Sequence, residues 1–159
     1  MKARILSACV LITALVACGG DGSDTGSVSS PCDLADVAMV QSVFPGTFSE
    51  GVEGEARNCE FSLEDGPVFS VSVFYYGSAD GWDATRQGFE DNRGGATDVD
   101  GIGDGAFAPA DTGPRELVVQ SGGEIFSVTV FTGFEEPNEN VIGGVADLAT
   151  AIADNLASP

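Results

Sequence analysis

Histidine is absent from this 159-residue chain, and lysine occurs once, as Lys2. Without histidine, Ser-His and Cys-His nucleophilic systems cannot be assembled. A zinc site loses its commonest nitrogen ligand as well. Without a lysine behind a glycine-rich turn there is no phosphate-binding loop, and Gly101-Ile102-Gly103-Asp104-Gly105 does not have the spacing of a dinucleotide fingerprint. Positive charge is scarce altogether: 6 Lys and Arg stand against 25 Asp and Glu. A chain so poor in basic surface has no footprint for nucleic acid or for anionic lipid headgroups. Long apolar runs are also missing, except between Ile5 and Ala17, where only Ser7 and Thr13 interrupt. A membrane-crossing helix needs about 20 apolar residues, so this run is short for a span and fits the apolar segment of a secretory signal.

What is present at the amino terminus is ordered like an export signal. Lys2 and Arg4 precede the apolar run, and the run ends in Leu15-Val16-Ala17-Cys18, followed by Gly19-Gly20. This resembles the lipobox of bacterial lipoproteins. The resemblance implies cleavage after Ala17, so that residues 1–17 are a signal peptide, and a diacylglyceryl group on the Cys18 thiol. One acyl chain holds a protein only marginally, whereas two or three hold it stably, at about 0.8 kcal/mol per buried methylene. The expected product is an exported protein anchored to a membrane of the cell envelope. The competing reading is an ordinary secreted protein, in which Cys18 would be an unpaired thiol.

Residues 18–31 are almost entirely Gly, Ser, Asp and Thr after the cysteine. They bury too little to offset the entropy of ordering, so they read as a flexible tether. Residues 32–159 make one domain's worth of chain. Removing residues 1–17 takes away Lys2 and Arg4 and leaves Arg57, Arg86, Arg93 and Arg115 against all 25 acids, a net charge of about −21. A solvated acidic surface, a divalent-cation site and an interface for a basic partner are the three readings of that charge.

Of the four cysteines, Cys9 leaves with the signal and Cys18 carries lipid. Cys32 and Cys59 remain in an oxidising compartment, and a disulfide between them is expected. It would contribute roughly 3–4 kcal/mol through loop entropy.

The pattern of the folded part predicts an α+β domain, with elements in the order α-β-β-α-β-β-β-α and helices on one face of an antiparallel sheet of about five strands. Asp33 is placed to cap a helix over Leu34–Phe44. Cys59, Phe61 and Leu63 alternate with polar residues as a half-buried strand, and Val68–Tyr76 forms its hairpin partner. Ser78 or Asp80 opens a helix carrying Trp82, Thr85 and Phe89, stopped at Gly94-Gly95. Val99–Phe107 reads as a strand interrupted by glycine. Leu117–Gln120 and Ile125–Thr132 flank Ser121-Gly122-Gly123 as a hairpin. A last helix starts at Asn138 or Asn140, with Val141, Ile142, Val145, Leu148, Ala149, Ile152 and Leu156 along one stripe.

Pro31-Cys32-Asp33-Leu34 opening a helix, a second cysteine in the first strand, the Val99–Ala106 segment and the alanine-rich final helix resemble a group of small actinobacterial lipoproteins with an extracellular domain of unknown function. In layout they are similar to the extracellular sensor domains of mycobacterial receptor kinases. The resemblance covers most of residues 31–157 and implies an α+β fold in the envelope, with no catalytic residues and no cofactor. This chain is more acidic than that group.

Two places could carry chemistry. Asp98, Asp100 and Asp104, spaced by glycines, could wrap a hard cation such as calcium. Counted as a calcium loop from Asp98, however, the fifth position is Ile102 and the twelfth Pro109, where oxygen ligands are required. The alternative is a strand with a glycine bulge. Carboxylate pairs such as Glu135-Glu136 or Glu50 and Glu53 arise readily among 25 acids and carry no glycosidase signature. The second place is the strand face shared by Phe74 and Tyr76. If no helix covers it, those rings offer a patch for a ligand or a protein partner. Taken together, a non-enzymatic, membrane-tethered module that binds a small molecule or an envelope protein is expected, with a calcium-binding or structural module as the alternative.

Overall fold

The structure, a computed structural model, describes residues 28–158. Residues 1–17, read above as a signal peptide, and Cys18 lie outside the described residues. The sheet has seven antiparallel strands: β1 (Val52–Gly54), β2 (Asn58–Ser62), β3 (Ser70–Ser78), β4 (Ala96–Asp98), β5 (Gly105–Pro109), β6 (Glu116–Ser121) and β7 (Glu124–Phe131). Their spatial order is β1-β2-β3-β7-β6-β5-β4. Two meanders run inward from opposite edges and meet where β3 pairs with β7. The helices are α1 (Val37–Val43), α2 (Trp82–Arg93) and α3 (Glu139–Ala157).

The α+β class, the antiparallel sheet and the Cys32–Cys59 disulfide are as expected. The strand count and order are not. β1 was not anticipated, and the segment Val99–Phe107 is not one strand but the loop and second half of a β4–β5 pair. The helices cover both faces rather than one. α1 and α3 enclose the main core with Phe61, Val71, Val73, Phe126, Val128, Leu117 and Val119 beneath them. On the other face α2 sets Phe89 and Trp82 against Phe107, Val118 and Ile125. The physical reason lies in β5, β6 and β7, which bury side chains on both faces (Val118 and Val119, Ile125 and Phe126). A strand apolar on both sides needs a cover on each.

The first helix also starts later than the sequence predicts. Ser30, not Asp33, begins a short 3-10 turn over Pro31–Asp33, in which Asp33 accepts the Ser30 amide at 2.8 Å. α1 is then capped by Asp36, whose carboxylate accepts the Met39 amide at 2.8 Å. Ser29, Ser30 and Pro31, assigned above to the tether, therefore belong to the fold. The turn is fastened to the sheet twice, by the Ser30 hydroxyl donating to Glu53 at 2.8 Å and by the disulfide, whose Cα atoms are 5.0 Å apart.

Close approach fixes two glycines. At Gly122, in the β6–β7 turn, an added Cβ would run into the Leu156 carbonyl oxygen, where the end of α3 lies against the hairpin. At Gly103 it would meet the Gln120 carbonyl at 2.5 Å. No helix among the described residues is long and apolar enough to cross a membrane.

Candidate functional site: the half of the sheet that α2 leaves uncovered

Strand register places residues of neighbouring strands side by side on the face that α2 occupies. One cross-strand row runs Val52, Glu60, Ser72, Thr129, Glu116. The next runs Asn58, Phe74, Ser127, Val118, Phe107. A third holds Ser62, Ser70 and Phe131. α2 sits over the Val118–Phe107 end of these rows, where Phe89 and Phe107 pack edge to face at 5.4 Å and Trp82 lies 5.4 Å from Phe107. Among the described residues the β1–β2–β3 end has no helix over it, and it presents Ser62, Ser70 and Ser72 together with Asn58, Glu60, Val52 and Phe74.

The border between the covered and open halves is a charged clasp. Arg93, the last residue of α2, donates through Nη1 to Glu116 Oε2 at 2.9 Å and through Nε to Asp111 at 2.9 Å. Glu116 is 4% exposed and also accepts the Thr112 hydroxyl at 3.1 Å. The guanidinium stacks over the Phe89 ring at 5.1 Å. The hydrogen bond from Arg93 holds Asp111 below the usual carboxylate range. Sequence reasoning missed this clasp, since Arg93 carried no local signal and Glu116 is one acid among 25.

Phe74 and Tyr76 lie beside the clasp. The expectation of a patch there is conditional on no helix covering the face, and α2 reaches its Tyr76 end. Phe74 is half-buried. Tyr76 stands in a bulge between Tyr75 and Gly77, its ring edge-on to Phe89 at 5.9 Å and its hydroxyl sharing a hydrogen bond with buried Ser127 at 3.4 Å. α2 therefore takes one side of the Tyr76 ring. Burial pushes the Tyr76 phenol above its ordinary value. On the opposite face, Tyr75 donates to Glu124 at 2.7 Å under the Arg57 guanidinium. Burial, reinforced by Glu124, pushes it up to about 12. Such a phenol favours the folded state while protonated. It stabilises the fold fully below pH ~10, the unfolded value, and loses that contribution as pH rises through about 12. Ultraviolet titration of the 2 tyrosines should therefore show phenolate forming well above pH 10 in the native protein and near pH 10 in denaturant. Native titration at pH 10 would contradict both burials.

The aspartates of the proposed cation loop are not gathered. Asp98 ends β4 and pairs with Arg86, which also holds Glu90. Asp100 and Asp104 are exposed, while Ile102 between them is buried. Backbone bonds from Val99 to Ala106 and from Asp104 to Gln120 close the segment as a tight loop. Among the described residues, no group of three or more His, Cys, Asp or Glu is placed to hold a metal.

Depressions in the described surface are open grooves, not enclosed pockets. One of about 320 Å³ lies over Ser49, Val52, Gly54, Asn58, Glu60 and Ser62, at the outer end of the uncovered half-sheet. Another of about 280 Å³ lies between the Cys32 turn and the end of α3. Pockets that engulf small molecules are typically deeper and largely apolar. Comparison with family models, curated proteins and solved structures found no match for the chain.

Proposed function

We propose that this chain is an exported lipoprotein, anchored to a membrane of the cell envelope through acylated Cys18, and that its domain binds a protein partner without performing chemistry. The observation that carries the export reading is the Cys32–Cys59 disulfide, because such bonds persist in oxidising compartments and rarely in the cytosol. It stands just downstream of the lipobox-like Leu15-Val16-Ala17-Cys18. The likeness to actinobacterial envelope lipoproteins points the same way. Binding rather than catalysis is favoured because the buried carboxylate Glu116 is already held by Arg93 and Thr112. A protein partner is favoured over a small molecule because the grooves stand open to solvent rather than enclosed.

Fractionation of cells expressing the full chain tests the anchor. Wild-type protein should pellet with membranes and enter solution only with detergent. Cys18→Ser should be released or retained unprocessed, with the Cys32–Cys59 bond still formed in any exported product. Processed Cys18→Ser protein that stayed in the membrane fraction would overturn the anchoring role of that thiol.

A further inference from the structure

The two faces of the sheet are held by separate sets of side chains. The set beneath α1 and α3 is the main core. The other is small: Phe89 of α2 over Phe107, Val118 and Ile125, with Trp82 and Ala96 at its margin. No residue belongs to both. The backbone of β5, β6 and β7 runs between them, so α2 can leave its face without opening the main core. The helices differ in the same way. α3 has six buried residues between Gly144 and Ala153, whereas Phe89 is the one buried residue of α2.

α2 is also weak as a helix. Asp36 and Asn138 cap α1 and α3 through their side chains, but Gly81 precedes α2 and gives it no side-chain cap. Gly88 stands in its middle, and an added Cβ there would touch nothing, so this glycine weakens the helix without making room for a neighbour. Glycine flanks α2 on both sides, Gly81 before Trp82 and Gly94 after Arg93, the latter at φ +78°. The chain is pinned just outside them, by the Ala79 amide donating to Gly123 and the Ala110 amide donating to Gly95. What fastens the helix between these pins is largely ionic. Arg86 pairs with Asp98 of β4, and Arg93 with Asp111 and Glu116. Their guanidinium groups lie over Phe107 and Phe89 at 5.4 and 5.1 Å. The Thr129 hydroxyl, opposite Glu116 in the β6–β7 register, is buried without a hydrogen-bond partner. Closure therefore carries an unpaired polar group at its border, a cost that access of solvent removes.

We infer that α2 is a lid that opens as a unit on an intact sheet, hinged at Gly81 and Gly94 and held shut by Arg86 and Arg93. Lids are drawn from the least stable parts of a fold. Opening separates Phe89 and Trp82 from Phe107, Val118 and Ile125, which are wholly buried when the lid is closed. The strand face without a helix then extends across β7 and β6 to β5. The disulfide, α1, α3 and the main core stay in place throughout. A 12-residue helix taken off its support is marginal in water, so the open lid also loses its helical hydrogen bonds. The inference goes beyond the proposed function, because it holds whatever the domain binds.

Native-state hydrogen exchange, read amide by amide on the full mature-length chain carrying Cys18→Ser, tests this. The helical amides of α2 should be protected about tenfold less, or weaker still, than those of β3, β7 and the second half of α3. Their exchange should barely respond to urea below the unfolding transition, since a local opening exposes little surface. Val71→Ala, in the main core, should speed exchange in β3, β7 and α3 by about tenfold or more and leave α2 unchanged, because the closed and open states share that core. Arg86→Gln should speed exchange in α2 by roughly threefold. Protection of α2 equal to that of the core, falling with urea in parallel, would overturn the inference, because α2 would then open only when the whole domain unfolds. Equal acceleration of α2 by Val71→Ala would overturn it too, and unchanged α2 exchange in Arg86→Gln would remove the role of that arginine in closure. If Val71→Ala does not fold, the urea series without that substitution decides the matter alone.

Discussion

Replacing Cys32 with serine should lower the unfolding free energy by about 3–4 kcal/mol, the largest single-residue effect outside the apolar core. The two cysteines are 27 positions apart, and the loop between them contains α1 and β1. That loop supplies Leu34, Val40, Phe44 and Phe48 to the main core. In the unfolded chain the bond removes most of the loop's conformational freedom, and serine returns it. The loss is a large fraction of the ~5–15 kcal/mol that holds a typical domain together. Urea unfolding measures it directly. Reductant should destabilise the wild type by a similar amount and leave the Cys32→Ser variant unchanged. Equal stability of the two under oxidising conditions would mean that α1 and β1 are held by packing alone.

Truncating Arg93 to alanine should cost about 3 kcal/mol, because removal of one partner strands a buried charge. Glu116 is 4% exposed and would keep only the Thr112 hydroxyl. The variant also strips the guanidinium from the Phe89 ring, so the end of α2 should fray. Arg93→Met combined with Glu116→Leu should recover most of the loss, since apolar replacements of both partners leave nothing unpaired. Thermal or urea denaturation of the two single variants and the double variant closes a mutant cycle. Simple additivity of the two losses would show that the clasp is not a coupled pair.

Local patterns carried part of this architecture. α3 was legible because Val145, Leu148, Ala149 and Ile152 recur at helical spacing and are all buried on one stripe. The β6–β7 hairpin was legible because Gly122-Gly123 divides two apolar runs, and both glycines take positive φ. The disulfide followed by elimination once Cys9 and Cys18 were read as parts of an export signal and a lipid anchor. β1 was not legible because Val52-Glu53-Gly54 has no apolar pattern and is defined only by pairing with β2. The split of β4 from β5 was hidden because the need for Gly103 comes from Gln120 on another strand. Double-sided burial of Val118-Val119 was present as an apolar run, yet its consequence, a helix on each face, depends on how the meanders meet. The site divided along the same line. Phe74 and Tyr76 were legible as residues of one strand face, while the Arg93–Glu116 clasp exists only once α2 has docked.

Intact mass of the protein extracted from membranes bears most directly on the account as a whole. A mature chain beginning at Cys18, heavier than its polypeptide by a diacylglyceryl group and containing one disulfide, is the predicted result. A chain that retains residues 1–17, or one that begins at Cys18 with a free thiol, would contradict it.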